Sequence, residues 1–205
     1  LKLSSDRSIV FKRTPSVDNC PDGVAGLPNK RLSLIDSAVS AAESIALIAS
    51  GSLRGTPIAE RPNARRYLEW FGGYNLTRWN TIQSHFDLIY NAVKTQVLVF
   101  ICEDNEDFFA AVSPSNPYDI FLGKAFWSAP RSGTDSKAGT IIHELSHFNI
   151  LGGTEDNVYG QSAARSLARN NPSSAINNAD NDEYFAENTP LLSMPTAEVP
   201  VKPEP

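Results

Sequence analysis

At 205 residues, 41% hydrophobic and 20% charged, the chain is long enough for one domain with a real core, and its composition is that of an ordinary globular protein. A formal net charge of −5 argues against nucleic acid as a partner. No uninterrupted apolar run approaches the roughly eighteen residues of a membrane span, because Ser, Asp and Glu break up the longest helical stretch, around residues 33–50.

In chain order, LKLSSDRSIVF reads as a lone β-strand without the apolar h-region of a signal peptide. The dibasic Lys12-Arg13 before Thr14-Pro15 marks a trimming point, so residues 1–13 are expected to be the remnant of a pro-region or an N-terminal strand. Residues 14–31, rich in Pro, Gly and Asp, read as a loop. LSLIDSAVSAAESIALIASGSL, from Leu32 to Leu53, places apolar residues at helical spacing, with Gly51 and Gly55 expected to end the helix. Asn63 is expected to cap a short helix, ARRYLEWF, that stops at Gly72-Gly73. Residues 77–94 predict a longer helix with Trp79, Ile82, Phe86, Ile89 and Val93 on one stripe. His85, beside that stripe, is expected at the surface or half-buried. Asn75-Leu76-Thr77 is a glycosylation sequon, usable only in a eukaryotic secretory pathway.

The period then shortens. QVLVFIC (96–102), FFAAVS (108–113) and YDIFLG (118–123) predict short strands of a small, mostly antiparallel sheet. Thr134 or Asp135 opens the next helix and Gly152-Gly153 is expected to end it; two further helices are predicted over 157–169 and 173–188, the second with Pro172 at its start. From Thr189 onward five prolines and no hydrophobic periodicity predict an extended or disordered tail, 189–205. Helices, a small sheet and helices again predict one α+β domain over 14–188. Cys20 and Cys102 would pair in a secreted protein, closing a loop of about eighty residues worth up to roughly 4–5 kcal/mol by chain entropy; the alternative is two buried free thiols.

The chemistry gathers in GTIIHELSHFNILGGTEDNVYG, residues 139–160. HELSH fits H-E-x-x-H: on a helix, His143 and His147 project from one face and can share a zinc ion, with Glu144 turned toward its open side. There Glu144 can take a proton from water as it attacks a peptide carbonyl. A third ligand is needed. A histidine six residues after His147 would mark the metzincin pattern, but that residue is Gly153. A glutamate some twenty residues downstream would suit a thermolysin-like enzyme, but Ser166-Leu167-Ala168 stand there. The acidic candidates are Glu155, Asp156, Asp180, Glu183 and Glu187, and spacing favours Glu155 or Asp156.

GTEDNVYG matches G-T-x-D-x-x-Y-G. Joined to H-E-x-x-H at this distance, it resembles the aspzincin metallopeptidases, the deuterolysin family, and among them most closely the peptidyl-Lys metalloendopeptidases. The resemblance runs from about residue 20 to 188 and includes GKAFWSAPRSGTDSKAGTIIHELSHF and NNADNDEYFAEN. It implies a zincin-like single domain, one Zn2+ held by His143, His147 and Asp156, Glu144 as general base, and Tyr159 as donor to the oxyanion. It also implies that Asp180 and Glu183, which unaided read as a solvated acidic face, line the pocket for a lysine just after the cleaved bond. Cys20 and Cys102 match one disulfide of the fungal enzymes, and the second is missing here.

The function expected is a secreted zinc endopeptidase that cleaves on the amino side of Lys, with residues 1–13 able to hold a latent form. The alternatives are a broader-specificity deuterolysin-type peptidase and a non-catalytic zinc-binding protein. The partners expected are protein or peptide substrates, with no nucleic acid, no membrane and no second copy of the chain: a monomer.

Overall fold

Alanine at every third or fourth position lets one long helix lie close against its neighbours. In the computed structural model, which describes residues 16–18 and 30–195, α1 (Lys30–Gly55) buries Ile35, Ala38, Val39, Ala42, Ala46, Ala49 and Leu53 along one side. That side packs on α3 (Leu76–Thr95), α5 (Lys137–His147) and α8 (Ala179–Glu187). By length and composition alone α1 could cross a membrane, because its many alanines raise its hydropathy despite the interrupting polar residues. Here it serves as a core helix, although Leu47 and Ile48 on its outer side are exposed. Gly51 lies inside α1, which ends only at Gly55.

A 3-10 turn, Ile58–Asn63, leads into α2 (Arg65–Phe71). Asn63 closes that turn and does not cap α2; Ala64 takes the cap position without a side-chain bond. Asn75 caps α3 by accepting from Arg78 N, and the predicted stripe Trp79, Ile82, Phe86, Ile89 and Val93 is buried.

The sheet has the order β1 (Ser16–Asp18), β2 (Val99–Cys102), β4 (Asp119–Leu122), β3 (Ala110–Val112). Only β3 and β4 pair antiparallel; β2 is parallel to both β4 and β1. The expectation of a mostly antiparallel sheet is therefore corrected to a mixed one. The loop after β2 carries the chain past the neighbouring position, so β3 becomes an edge strand, and β4 returns between them in the direction of β2.

After a short α4 (Lys124–Ser128), α5 stops at His147, earlier than the predicted Gly152-Gly153, because Phe148 turns to extended backbone. Helix α6 (Gln161–Asn170) follows, and the predicted helix 173–188 divides into α7 (Pro172–Ala175) and α8. Asn177 and Asn178 separate them by pairing with the 155–158 segment. Beyond α8, Ser193 O accepts from Arg66 N and Leu192 exchanges hydrogen bonds with Asn188, so residues 189–195 lie on the domain's surface. Residues 1–13 and Cys20 lie outside the described residues.

Three buried contacts fix α8. Arg66 from α2 donates to Phe185 O and Ala186 O at the carbonyl end of α8 and stacks over the Phe185 ring. Asn181 donates to Trp70 O and Ala164 O. His85 of α3 pairs with Asp182 at 3.0 Å, both buried, which corrects the expectation of a surface or half-buried histidine. A polar side chain beside an apolar stripe can be buried when the facing helix supplies a partner.

Candidate active site

The N-terminus of α5 is built by two elements. Ser136 Oγ accepts from Gly139 N, and Glu187 of α8 accepts from Ser136 N at 2.8 Å, Ser136 Oγ at 2.7 Å and Asp135 N at 3.1 Å. Burial, then the nearby Glu183, pushes the Glu187 carboxyl up to about 8, against those hydrogen bonds. One turn further along α5, His143 and His147 stand side by side with ring centroids 4.9 Å apart.

The return of the chain is equally determined. Phe148 O accepts from the backbone N–H of Leu151, Gly152 and Gly153, and Gly153 has φ +61°, a conformation that glycine adopts freely. A Cβ on Gly152 would meet Ser146 O at 2.6 Å. Thr154 then docks under α5: its N–H donates to Ser146 O, its hydroxyl meets Ser146 Oγ at 2.6 Å, and its carbonyl accepts from His147 Nδ1 at 2.8 Å. Because a carbonyl only accepts, His147 carries its proton on Nδ1 and turns Nε2 outward with a free lone pair.

Asp156 follows. Its Oδ1 lies 3.1 Å from His143 Nε2 and 3.4 Å from His147 Nε2. Zinc bonds of about 2.0–2.2 Å in tetrahedral geometry separate neighbouring donors by about 3.3–3.6 Å, near these distances, so this donor set fits zinc. Burial works against the ionised Asp156, but the neighbouring His143, His147 and Tyr159 outweigh it and hold its pKa well below the usual carboxylate range. Burial also disfavours charge on both histidines, yet the surrounding carboxylates raise their affinity for positive charge. A cation between them would supply that charge.

Glu144, 4% exposed, is pushed up to about 7 by burial, partly offset by the two histidines. It lines a cleft of about 780 Å³ with His143, His147, Asp156 and Tyr159. The Tyr159 phenol reaches Asp156, and its pKa is pushed up to about 12 by desolvation and then by that carboxylate, so it remains a donor. The edge strand β3, with Phe108 and Phe109 before it, forms the apolar wall of the cleft.

Asp180 and Glu183 also line the cleft and are nearly fully buried. Both face His143 Nδ1, Asp180 Oδ1 at 3.0 Å and Glu183 Oε2 at 3.2 Å, while Asp180 Oδ2 accepts from Gly160 N. The structure thus brings seven predicted residues around one cleft: His143, Glu144, His147, Asp156, Tyr159, Asp180 and Glu183. His85 is elsewhere, behind α8. Of the other acidic candidates, Glu155 pairs with Asn177 and Ala179 through its backbone, and Glu187 caps α5. Sequence reasoning missed three groups. The Thr154 carbonyl has no side-chain signature. Asp135 and Tyr184, joined at 2.8 Å on the cleft wall, come from elements far apart in sequence. The run T-D-S before α5 signalled only a helix start.

Two imidazoles on one helix, a carboxylate from the following turn and a buried glutamate beside them define a centre of the zincin metallopeptidase type. Residues 58–187 match the aspzincin family model, described as lysine-specific metallo-endopeptidase. An extracellular protease of Aeromonas hydrophila is 49% identical over 162 residues, covering 79% of this chain and 46% of its own length. A peptidyl-Lys metalloendopeptidase of Pleurotus ostreatus is 44% identical over 169 residues, covering 82% of this chain and 98% of its own. A solved zinc peptidase from Grifola frondosa superposes with a TM-score of 0.73 at 40% identity, over 78% of this chain and 96% of that one. The chain belongs to the aspzincin family of lysine-specific metallo-endopeptidases. It spans about half the length of the Aeromonas relative, 46%.

Proposed function

We propose that this chain is the catalytic domain, residues 14–188, of a secreted zinc endopeptidase that hydrolyses protein or peptide substrates on the amino side of lysine. Its carrying observation is the donor triad His143, His147 and Asp156, whose ligand atoms lie within 4.8 Å of one another, with the buried Glu144 beside it. Zinc held there would lower the pKa of water and polarise the scissile carbonyl. Glu144 takes the proton of the attacking water, whose oxygen bonds to the carbonyl carbon, and passes it to the amine as the C–N bond breaks. Tyr159 donates a hydrogen bond where negative charge develops on the carbonyl oxygen. His147, held by the Thr154 carbonyl, and His143, held by Asp180 and Glu183, keep their Nε2 atoms fixed.

The lysine preference is supported by Asp180 and Glu183 on the cleft wall and by the name of the Pleurotus relative. Secretion draws support from the name of the Aeromonas relative. Residues 1–13 would be the remnant of a pro-region or an N-terminal strand, and 189–205 a Pro-rich tail. A Cys20–Cys102 bridge fits the absence of a free thiol among the described cysteines. The protein would act as a monomer, without nucleic acid or membrane as partner. One observation favours a second reading, a peptidase of broader specificity: Asp180 and Glu183 both spend an oxygen on His143.

Glu144→Ala tests the mechanism. Hydrolysis should fall by about 10²–10⁴ or more while each chain still binds one zinc by metal analysis. Activity unchanged in the zinc-loaded variant would exclude Glu144 as the base.

A further inference from the structure

We infer that Asp135 is a specificity-determining residue of the amine pocket, and that it, with Glu183, faces the ammonium while Asp180 chiefly positions the site. The inference rests on the proposed cleavage before lysine.

Both oxygens of Asp180 are already used. Oδ1 lies against His143 Nδ1 and Oδ2 accepts from Gly160 N, next to Tyr159. These bonds orient a metal-binding imidazole and the turn carrying the phenol, so an ammonium would have to compete with both. Glu183, 7% exposed, uses Oε2 on His143, and its Oε1 accepts no hydrogen bond among the described residues. That oxygen lies beside Gly139 in the first turn of α5, and a carboxylate oxygen without a partner in a cleft can receive a cationic ligand.

Asp135, an exposed residue of the turn before α5, lines the same cleft. The role its position suggests, N-cap of α5, is filled by Ser136, with Glu187 accepting from the Asp135 N–H. Its side chain is therefore not needed for capping. Its φ of +51° is left-handed, a conformation that Asp tolerates better than most residues. The Tyr184 hydroxyl donates to Oδ1 at 2.8 Å, and burial followed by that bond raises the phenol far above its usual range, so it stays a donor. Oδ2 takes no hydrogen bond among the described residues. One oxygen is thus pinned, leaving the other for a ligand, and the carboxylate is pre-oriented. Two carboxylates lining one cleft can divide the three donors of an ammonium between them, whereas a guanidinium requires a planar fork.

The test compares kcat/KM for two peptides that differ only in Lys or Met after the scissile bond. For the zinc-loaded wild type, the Lys/Met ratio establishes the preference. Asp135→Asn keeps the acceptor for Tyr184 and tolerates the same backbone, yet removes the charge; the ratio should fall by about tenfold. Tyr184→Phe, which removes only the hydroxyl, should lower the ratio by about threefold and reads the same property should Asp135→Asn fold poorly. A ratio unchanged in both variants, or an equal loss on both peptides, would overturn the role of Asp135. No Lys preference in the wild type would instead overturn the reading on which the inference rests.

Discussion

Gly139 occupies the first turn of the helix that carries the histidines, and two glutamates fill the space where its side chain would stand. A Cβ there would lie 2.1 Å from Glu187 Oε1 and 2.8 Å from Glu183 Oε1. Glu187 can withdraw only by giving up its bonds to the Ser136 N–H and hydroxyl. Gly139→Ala should therefore destabilise the protein by about 1–3 kcal/mol, read as a lower urea midpoint, where an alanine inside a helix would ordinarily help. An unchanged midpoint would show that the two carboxylates relax freely. HELSH and GTEDNVYG could be read residue by residue, because their chemistry depends on spacing along one helix and one turn. The role of Gly139 could not, since it exists only where α8 lies across α5. The same is true of His85, whose partner Asp182 is 97 positions away.

Helices α5 and α8 form the working unit of the domain, and Glu187 joins them. Its carboxyl sits at about 8 in the fold against an ordinary value of 4.5, raised first by burial and then by Glu183. The folded state thus holds this proton more tightly than the unfolded chain. The stability it contributes is fully present below about pH 4.5 and is lost as pH rises toward 8, where the unfolded chain has already released the proton. Glu187→Gln, which mimics the protonated acid, should match the wild type near pH 5. At pH 8 it should be more stable by on the order of 1–3 kcal/mol, measured as denaturation midpoints across that range. A constant difference between the two proteins would contradict the linkage. Helical periodicity predicted α1 and α3 well, because each buries one continuous stripe. The break between α7 and α8 and the parallel pairing of β2 with β4 were not legible. The first depends on Asn178 accepting from Asn157 and Val158, and the second on a strand skipping a position in the sheet.

At the scale of the molecule, a cleft runs between the apolar edge strand β3 and the polar faces of α5 and α8. Two buried polar anchors, Arg66 and the His85–Asp182 pair, hold α8 at the far side of that cleft. The metal centre is assembled almost wholly from one contiguous stretch, His143 to Tyr159, and so was visible in sequence. The pocket beside it draws on Asp135 before α5 and on Asp180, Glu183 and Tyr184 of α8, and needed the fold. The activity proposed for this cleft is cleavage on the amino side of lysine. Digestion of a denatured protein, with the new N-termini mapped by mass spectrometry, with and without a zinc chelator, measures it directly. New N-termini should be predominantly lysine and should disappear on chelation. Termini without lysine enrichment, or cleavage that persists in the chelator, would contradict it.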